Sequence, residues 1–217
     1  MEYLNLANLK EITFIDERSV YIEKSVKLGK NIVIYPNNII LGNTEIKDNV
    51  VLLPNNYIIN SLIKNNSKIF NSVIEDSVVE DNVTIGPFAH LRPNSNIKSG
   101  AKIGNFVEIK NSLIGEKSKV SHLSYVGDAN VGANVNIGCG VVFVNYNGKT
   151  KSKSEVEDNC FVGSSVNVIA PVKIEKSSYI CAGTTVDKNV PENSFVIGRS
   201  RMVLKPERAK KYLKGEE

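Results

Sequence analysis

Residues 22–57 read, in groups of six, IEKSVK LGKNIV IYPNNI ILGNTE IKDNVV LLPNNY. Every group begins with Ile or Leu, and turn-forming pairs such as Lys-Asn or Asp-Asn follow. A period of six matches neither an α-helix nor a simple alternating strand. Hexapeptide repeats are the signature of a parallel β-helix, in which each group makes one flat side and one corner of a triangular coil. The stretch therefore predicts an all-β, parallel β-helix.

The same register continues along most of the chain. It runs again through residues 79–109 and 156–186, with one-residue deletions between these stretches. Three groups make one coil, so Ile22 to Val186 gives about nine coils and a prism roughly 40 Å long. A β-sandwich is the alternative interpretation, but sandwich strands recur every 8–12 residues and keep no six-residue phase.

The open ends of such a stack require covers, because unpaired strand edges promote aggregation. Residues 1–21 lack the repeat and are predicted to form an N-terminal cap or linker remnant. Residues 22–200 are predicted to form the β-helix, which ejects a loop at 145–155. Residues 201–217 predict a short basic C-terminal helix or tail, with Pro206 near its first turn.

Composition excludes several classes of function. The chain has 217 residues and a net charge of +4, with no aromatic platform beside a basic stripe, so no nucleic-acid partner is predicted. There is no long apolar run and no signal peptide, so no membrane partner is predicted. The three cysteines form no Cys-x-x-Cys pair and favour a reduced, cytoplasmic protein, with Cys160 in the core. Two histidines cannot supply the three ligands of a carbonic anhydrase with this fold, and no metal site is predicted.

The interruption of the repeat is the candidate binding region. Such insertions often form the binding face of a repeat protein, and this loop carries Tyr146, Lys149, Lys151 and Lys153. The segments before it are unusually rich in polar or aromatic side chains: Arg92, Lys110, His122, Tyr125 and Asn136.

Seven consecutive motifs carry a family resemblance. They begin at Gly86 (GPFAHLRP), Gly104 (GNFVEIKNS), His122 (HLSYVGDA), Val135 (VNIGCG), Val144 (VNYNG), Phe161 (FVGSS) and Ala182 (AGTTV). In this order and spacing the chain resembles the acetyltransferase half of the bifunctional bacterial enzyme that makes UDP-N-acetylglucosamine. The resemblance covers about residues 12–200. It implies a left-handed β-helix and a homotrimer with sites between subunits.

The resemblance also implies an activity and a set of site residues. The expected reaction is acetyl transfer from acetyl-CoA to the 2-amino group of glucosamine 1-phosphate, with His122 as general base. The matches of Arg92, Lys110, Tyr125 and Lys151 hold the sugar phosphate. The remaining matches position the sugar or bind acetyl-CoA: Asn136 for the sugar, Asn145 and Tyr146 for the sugar or the acetyl group, and Cys139, Ser164, Ala182 and Arg199 for acetyl-CoA. Cys139 stands where the family commonly has Ala.

The chemistry needs residues of these types. An amino sugar is largely protonated near neutral pH, and its ammonium form cannot attack a thioester, so a base such as His122 is required. Glu108 is predicted to orient that imidazole. Arg92 can bind phosphate in a bidentate way, and lysines act as point charges. Ser164 or a nearby backbone N–H is predicted to stabilise the thioester oxygen as negative charge develops.

Three alternatives stay open from the sequence. In the first, the chain is another hexapeptide acyltransferase with a different amine acceptor. In the second, it is a catalytically silent scaffold. In the third, Cys139 forms an acyl intermediate. No uridyltransferase activity is expected, because nothing like the Gly-x-Gly-Thr-Arg-Met loop of the other half of the bifunctional enzyme occurs.

Overall fold

The computed structural model describes residues 2–213, which form short strands joined by tight corners. In chain order the strands are β1 (Ile12–Phe14), β2 (Tyr21–Ile22), β3 (Lys27–Leu28), β4 (Ile32–Ile34), β5 (Ile39–Leu41), β6 (Glu45–Ile46), β7 (Val51–Leu52), β8 (Tyr57–Ile59), β9 (Leu62–Ile63), β10 (Lys68–Ile69), β11 (Val73–Glu75), β12 (Val78–Val79), β13 (Thr84–Ile85), β14 (His90–Leu91), β15 (Asn96–Ile97), β16 (Lys102–Asn105), β17 (Glu108–Lys110), β18 (Leu113–Ile114), β19 (Lys119–His122), β20 (Tyr125–Gly127), β21 (Ala129–Val131), β22 (Asn136–Ile137), β23 (Val142–Val144), β24 (Ser154–Val156), β25 (Phe161–Val162), β26 (Asn167–Ile169), β27 (Lys173–Ile174), β28 (Tyr179–Ile180), β29 (Thr185–Val186) and β30 (Phe195–Val196). Three 3-10 helices span Leu6–Asn8, Glu17–Ser19 and Arg208–Lys211.

These strands form three parallel sheets, one on each side of a triangular prism. Sheet 1 contains β1, β4, β7, β10, β13, β16, β19, β22, β25, β28 and β30; sheet 2 contains β2, β5, β8, β11, β14, β17, β20, β23, β26 and β29; sheet 3 contains β3, β6, β9, β12, β15, β18, β21, β24 and β27. Up to β29 every third strand joins the same sheet, as the six-residue period predicts, and β30 then pairs with β28 in sheet 1. The predicted all-β parallel β-helix is confirmed.

The first residue of each hexapeptide points into the prism. In sheet 1 these residues are at most 1% exposed: Ile34, Leu52, Ile69, Ile85, Ile103, Val120, Ile137, Val162 and Ile180. Each such side chain contributes roughly 1.5–3 kcal/mol when it is fully buried. Cys160 is 2% exposed, so its predicted place in the core is confirmed.

The corners depend on residues that tolerate a left-handed backbone. Asn31 (φ 54°) and Asn49 (φ 58°) are typical, because asparagine accepts this conformation more readily than most side chains. Three bulky apolar residues depart from that rule: Phe88, Phe106 and Leu123 have φ of 58°, 55° and 48°. They occupy one corner, between sheets 1 and 2, and such strained positions concentrate at functional sites.

The N-terminal boundary of the β-helix differs from the prediction. Strand β1 pairs with β4 in register, Ile12 opposite Ile32, so the prism begins inside the segment predicted as a cap. Ile12 and Phe14 pack against the core as partly buried side chains, which accounts for the extra coil. With β1 added at one end and β30 at the other, the 11 strands of sheet 1 span about 48 Å at ~4.8 Å between strands, rather than about 40 Å.

The predicted C-terminal helix is present only as the four-residue 3-10 turn Arg208–Lys211. The described part of the tail is exposed: Met202 is 88% exposed and Leu204 is 76% exposed, so no packing among residues 2–213 stabilises a longer helix. Residues 214–217 of the predicted tail lie outside the described residues. Within residues 2–213, no helix is long and apolar enough to cross a membrane.

Candidate active site

Most of the predicted residues collect in two places, and the first is a line along the corner that follows sheet 1. We call it the corner ridge; it consists of Asn105, His122, Cys139, Ser164 and Ala182. The backbone carbonyl of each of the first four accepts a hydrogen bond from an N–H one coil further on: Leu123 to Asn105 (3.0 Å), Gly140 to His122 (3.3 Å), Ser165 to Cys139 (2.8 Å) and Gly183 to Ser164 (2.9 Å). Neighbouring ridge residues are therefore one coil apart, about 4.8 Å. Arg199 extends the ridge, donating from Nη1 to the carbonyl of Ala182 at 3.0 Å.

The imidazole of His122 is exposed and oriented by Asn105. His122 Nδ1 lies 2.5 Å from Asn105 Oδ1. An amide oxygen only accepts hydrogen bonds, so the imidazole donates from Nδ1–H and its Nε2 lone pair points elsewhere. This tautomer is the one that a general base working through Nε2 needs.

The expectation that Glu108 orients His122 is wrong. Glu108 Oε1 pairs with Arg92 Nη1 at 2.8 Å instead. Glu108 begins β17 in sheet 2, whereas Asn105 ends β16 in sheet 1 and pairs in register with His122. Next to Asn105, a Cβ on Gly104 would lie 2.0 Å from the carbonyl oxygen of Ser121, so glycine permits the close approach of β16 and β19.

The second group surrounds a depression of about 420 Å³ beside sheet 2, which we call the cation pocket. Its lining residues are Arg92, Pro93, Asn94, Lys110, Asn111, Asp128 and Lys151. Arg92 follows β14 and Lys110 ends β17, so sheet pairing places the two cations on successive coils. Three cations around an open depression suit a multiply charged anion such as a phosphate.

The predicted loop supplies the third cation. Strands β21 and β24 pair Ala129 with Ser154, 25 positions apart, whereas β18 and β21 pair Leu113 with Asn130, 17 positions apart. The additional residues leave and return as a small hairpin, in which Tyr146 and Lys151 form an antiparallel bridge. Lys151 thereby reaches the cation pocket, while Tyr146 is 54% exposed.

Tyr125 and Asn145 adjoin the cation pocket. A Cβ on Gly127 would lie 2.3 Å from the hydroxyl of Tyr125, so glycine leaves the space that the phenol ring occupies. Asn145 Nδ2 lies 3.4 Å from that hydroxyl and 2.5 Å from Asp128 Oδ2. The resemblance assigned Asn145 to the sugar or to the acetyl group of acetyl-CoA, and its contacts in the structure are with Tyr125 and Asp128 beside the cation pocket.

Asn136 belongs to neither group by contact. It begins β22 on sheet 1, opposite Lys119 and Phe161, on the flat side that precedes the corner ridge.

Two residues of the site were missed by sequence reasoning, Asn105 and Asp128. Both stand inside the quoted motifs, so the signal was present, but their partners lie 17 positions away on other coils.

Lys151 provides a test of the electrostatics of the cation pocket. Contact with the Lys110 side chain and the charge of that ammonium group lower the pKa of Lys151 below its ordinary value. Its charge is present below that pKa and is lost as the pH rises. We therefore expect the KM for a sugar phosphate to increase on the alkaline side, at a lower pH than an ordinary lysine would cause. Lys151→Arg should remove this increase, because a guanidinium stays charged. Equal pH profiles of KM for the two proteins would contradict the assignment.

Comparisons with known proteins define the class first. Residues 76–111 match the sequence pattern of bacterial transferase hexapeptide repeats. A UDP-N-acetylglucosamine acyltransferase from Arabidopsis superposes with a TM-score of 0.64 at 16% identity, over 82% of this chain and 69% of that one. The chain is thus a left-handed parallel β-helix of hexapeptide repeats, as predicted.

Sequence relatives narrow the similarity to one kind of bifunctional protein. The bifunctional protein GlmU of Caldicellulosiruptor saccharolyticus is 51% identical over 196 residues, 90% of this chain and 42% of that protein. The same protein of Clostridioides difficile is 50% identical over 194 residues, 89% of this chain and 42% of that protein. The chain is a homologue of GlmU proteins, which confirms the resemblance carried by the motifs. It spans about 42% of the length of these relatives.

Proposed function

We propose that the chain transfers the acetyl group of acetyl-CoA to the 2-amino group of glucosamine 1-phosphate, which gives N-acetylglucosamine 1-phosphate for UDP-N-acetylglucosamine synthesis. The observation that carries the proposal is the pairing of His122 with Asn105, which leaves Nε2 free to accept a proton, in a chain that also has a three-cation pocket. The homology to GlmU proteins over 90% of the chain supports the same reaction.

The cation pocket receives the acceptor in this proposal. Arg92 binds the phosphate of the sugar through its planar guanidinium, and Lys110 and Lys151 supply point charges. Tyr125 and Asn145 lie at the edge of the pocket, where they contact the sugar. Asn136 contacts the sugar from the neighbouring flat side.

The corner ridge receives the donor. The side chains of Cys139, Ser164 and Ala182 are small and stand on successive coils beyond His122, so an extended pantetheine chain lies along them. Arg199 at the far end binds the phosphates of the coenzyme. Tyr146, on the exposed hairpin, closes over the acetyl group.

The reaction proceeds by direct attack. His122 Nε2 accepts a proton from the 2-amino group as the nitrogen lone pair forms a bond to the thioester carbonyl carbon. The carbonyl oxygen takes up negative charge, which the Ser164 hydroxyl or a ridge N–H stabilises. The C–S bond then breaks, the amide is formed, and the coenzyme leaves as a thiolate that takes up a proton.

A homotrimer with its sites between subunits is part of the proposal. The corner ridge is exposed at His122, Cys139, Ser164 and Ala182, so residues 2–213 of one chain leave it open to water. A second copy facing the ridge provides a wall that excludes water, and cyclic assemblies are common. Cytoplasmic location is proposed as well, supported by three cysteines without disulfides.

Subunit mixing tests the shared site. We expect that a variant inactivated at His122 and another inactivated at Lys110 recover activity when their subunits are exchanged, because some mixed sites then contain both native residues. The chain mass in solution should be three times that of one subunit, and mass spectrometry verifies the exchange. Absence of recovery in verified mixed trimers would show that the His122 and the Lys110 of each site belong to the same chain.

The proposed reaction is tested by thiol release from acetyl-CoA with three acceptors: glucosamine 1-phosphate, glucosamine 6-phosphate and glucosamine. Strong preference for the 1-phosphate is expected, because the cation pocket discriminates between positions of the phosphate on the sugar. Turnover of a different amine would favour another acyltransferase, and no turnover by the folded protein would favour a scaffold.

A further inference from the structure

Asp128 is a nearly buried carboxylate for which the proposed reaction has no use. It follows β20 and is 6% exposed. Its Oδ1 accepts a hydrogen bond from Asn111 Nδ2 at 2.6 Å, and its Oδ2 accepts one from Asn145 Nδ2 at 2.5 Å. Lys110 Nζ lies 3.9 Å from Oδ2.

The backbone of Asp128 joins the same parts of the site. Its N–H donates to the carbonyl of Lys110 at 3.0 Å, and its own carbonyl accepts from Ser154 N–H at 3.1 Å, where the ejected loop returns. Its φ of 49° lies in the left-handed region, which aspartate and asparagine tolerate. Asp128 therefore connects the end of β17 with both ends of the loop.

The charge of this carboxylate is maintained despite its burial. Burial alone would raise the pKa of Asp128, but hydrogen bonds from Asn111 and Asn145 and the charges of Lys110 and Lys151 outweigh it and lower the pKa. The group is an anion at neutral pH. It offsets the mutual repulsion of the two ammonium groups, which are close enough to affect each other.

We propose that Asp128 is the positioning residue of the acceptor site: its carboxylate holds the Lys110 ammonium and the Asn145 amide in the arrangement that receives the sugar phosphate. The proposal rests on the proposed function. Because Asn145 Nδ2 is directed at Asp128 and Tyr125, the amide oxygen is the atom left to accept a hydrogen bond from the sugar.

Two roles of Asp128, positioning of its neighbours and electrostatic repulsion of the anion, predict opposite changes in sugar phosphate binding when its charge is removed. A carboxylate close to an anion site repels the anion, so its neutralisation should tighten sugar phosphate binding if charge alone matters. If Asp128 positions Lys110 and Asn145, the same neutralisation should weaken binding. The sign of the change therefore decides between the two roles.

The test is Asp128→Asn, which keeps the size of the side chain and tolerates the left-handed backbone. We expect the KM for glucosamine 1-phosphate to rise at least about tenfold, because the amide cannot accept both side-chain hydrogen bonds. The KM for acetyl-CoA should stay within about twofold, since the corner ridge is untouched. Asp81→Asn is the matched control: Asp81 Oδ1 also accepts two hydrogen bonds, from the backbone and side chain of Asn65, in a distant turn.

A fall or no change in the KM for glucosamine 1-phosphate would overturn the proposal, as would an equal rise in both KM values. If Asp128→Asn does not fold, Asn145→Ala tests the same arrangement with Asp128 in place, and an unchanged KM for glucosamine 1-phosphate would refute it. If Asp128→Asn folds, a variant that carries both Asp128→Asn and Asn145→Ala should raise the KM for glucosamine 1-phosphate by less than the product of the two single increases.

Calorimetric titration of glucosamine 1-phosphate without acetyl-CoA separates this proposal from the proposed function. Wild-type binding without acetyl transfer would refute the reaction, and weakened binding by Asp128→Asn would still support positioning. Absence of wild-type binding would refute both.

Discussion

Replacement of His122 by alanine should lower kcat/KM for acetyl transfer by about 10²- to 10⁴-fold, the usual contribution of a positioned general base. Binding of glucosamine 1-phosphate should remain, because the cation pocket is built from sheet 2 and the loop, while His122 ends a strand of sheet 1. Initial rates of thiol release and calorimetric titration of the sugar phosphate measure the two quantities separately.

His90 provides the control for this variant. It is the other histidine of the chain, and its Nε2 lies 2.8 Å from Glu75 Oε2 on sheet 2. His90→Ala should leave kcat/KM within about threefold of wild type. Surface substitutions of this kind seldom change the free energy of unfolding by more than about 0.5 kcal/mol, so the fold should be kept. Near-wild-type turnover by His122→Ala would refute its role as the base.

Lys110→Ala should have the second largest effect, an increase of about 10- to 100-fold in the KM for glucosamine 1-phosphate. A hydrogen bond to a charged group contributes about 1.5–3 kcal/mol, which sets this range. The variant also leaves Asp128 with less positive charge beside it, because Lys110 Nζ lies 3.9 Å from its carboxylate. The KM for acetyl-CoA should change little.

Lys68→Ala is the control for a lost lysine charge. Lys68 begins β10 on the outer side of sheet 1, and it is exposed. A comparable rise in the sugar phosphate KM for both variants would show that only net charge matters. A rise in both KM values of Lys110→Ala, together with a lower melting temperature, would show a general loss of structure.

The fold could be predicted because a six-residue phase admits few structures. Once Ile103 and Val162 are placed inward, the flat sides, the corners and the parallel pairing follow, and both residues are fully buried. The ends were predicted less well. Strand β1 lacks a clear hexapeptide but still completes a coil, and the 3-10 turn Arg208–Lys211 of the basic tail has no buried face to stabilise a helix.

The candidate site was only partly predictable for a geometric reason. Motifs identify which residues matter. The partner of a side chain, however, depends on which residues lie next to each other on successive coils. Glu108 and Asn105 are three positions apart in the sequence, yet they lie on different sides of the prism, and only Asn105 reaches His122. Asp128 is hidden for the same reason, because its partners come from another coil and from the loop.

The most direct test of the proposed site is a crystal structure of the protein with glucosamine 1-phosphate bound. We predict that the phosphate occupies the cation pocket, in contact with Arg92, Lys110 and Lys151, and that the 2-amino group lies about 3 Å from Nε2 of a His122, of the same or a neighbouring subunit. A phosphate bound outside the cation pocket, or an amino group directed away from every His122, would contradict the proposed site and its chemistry.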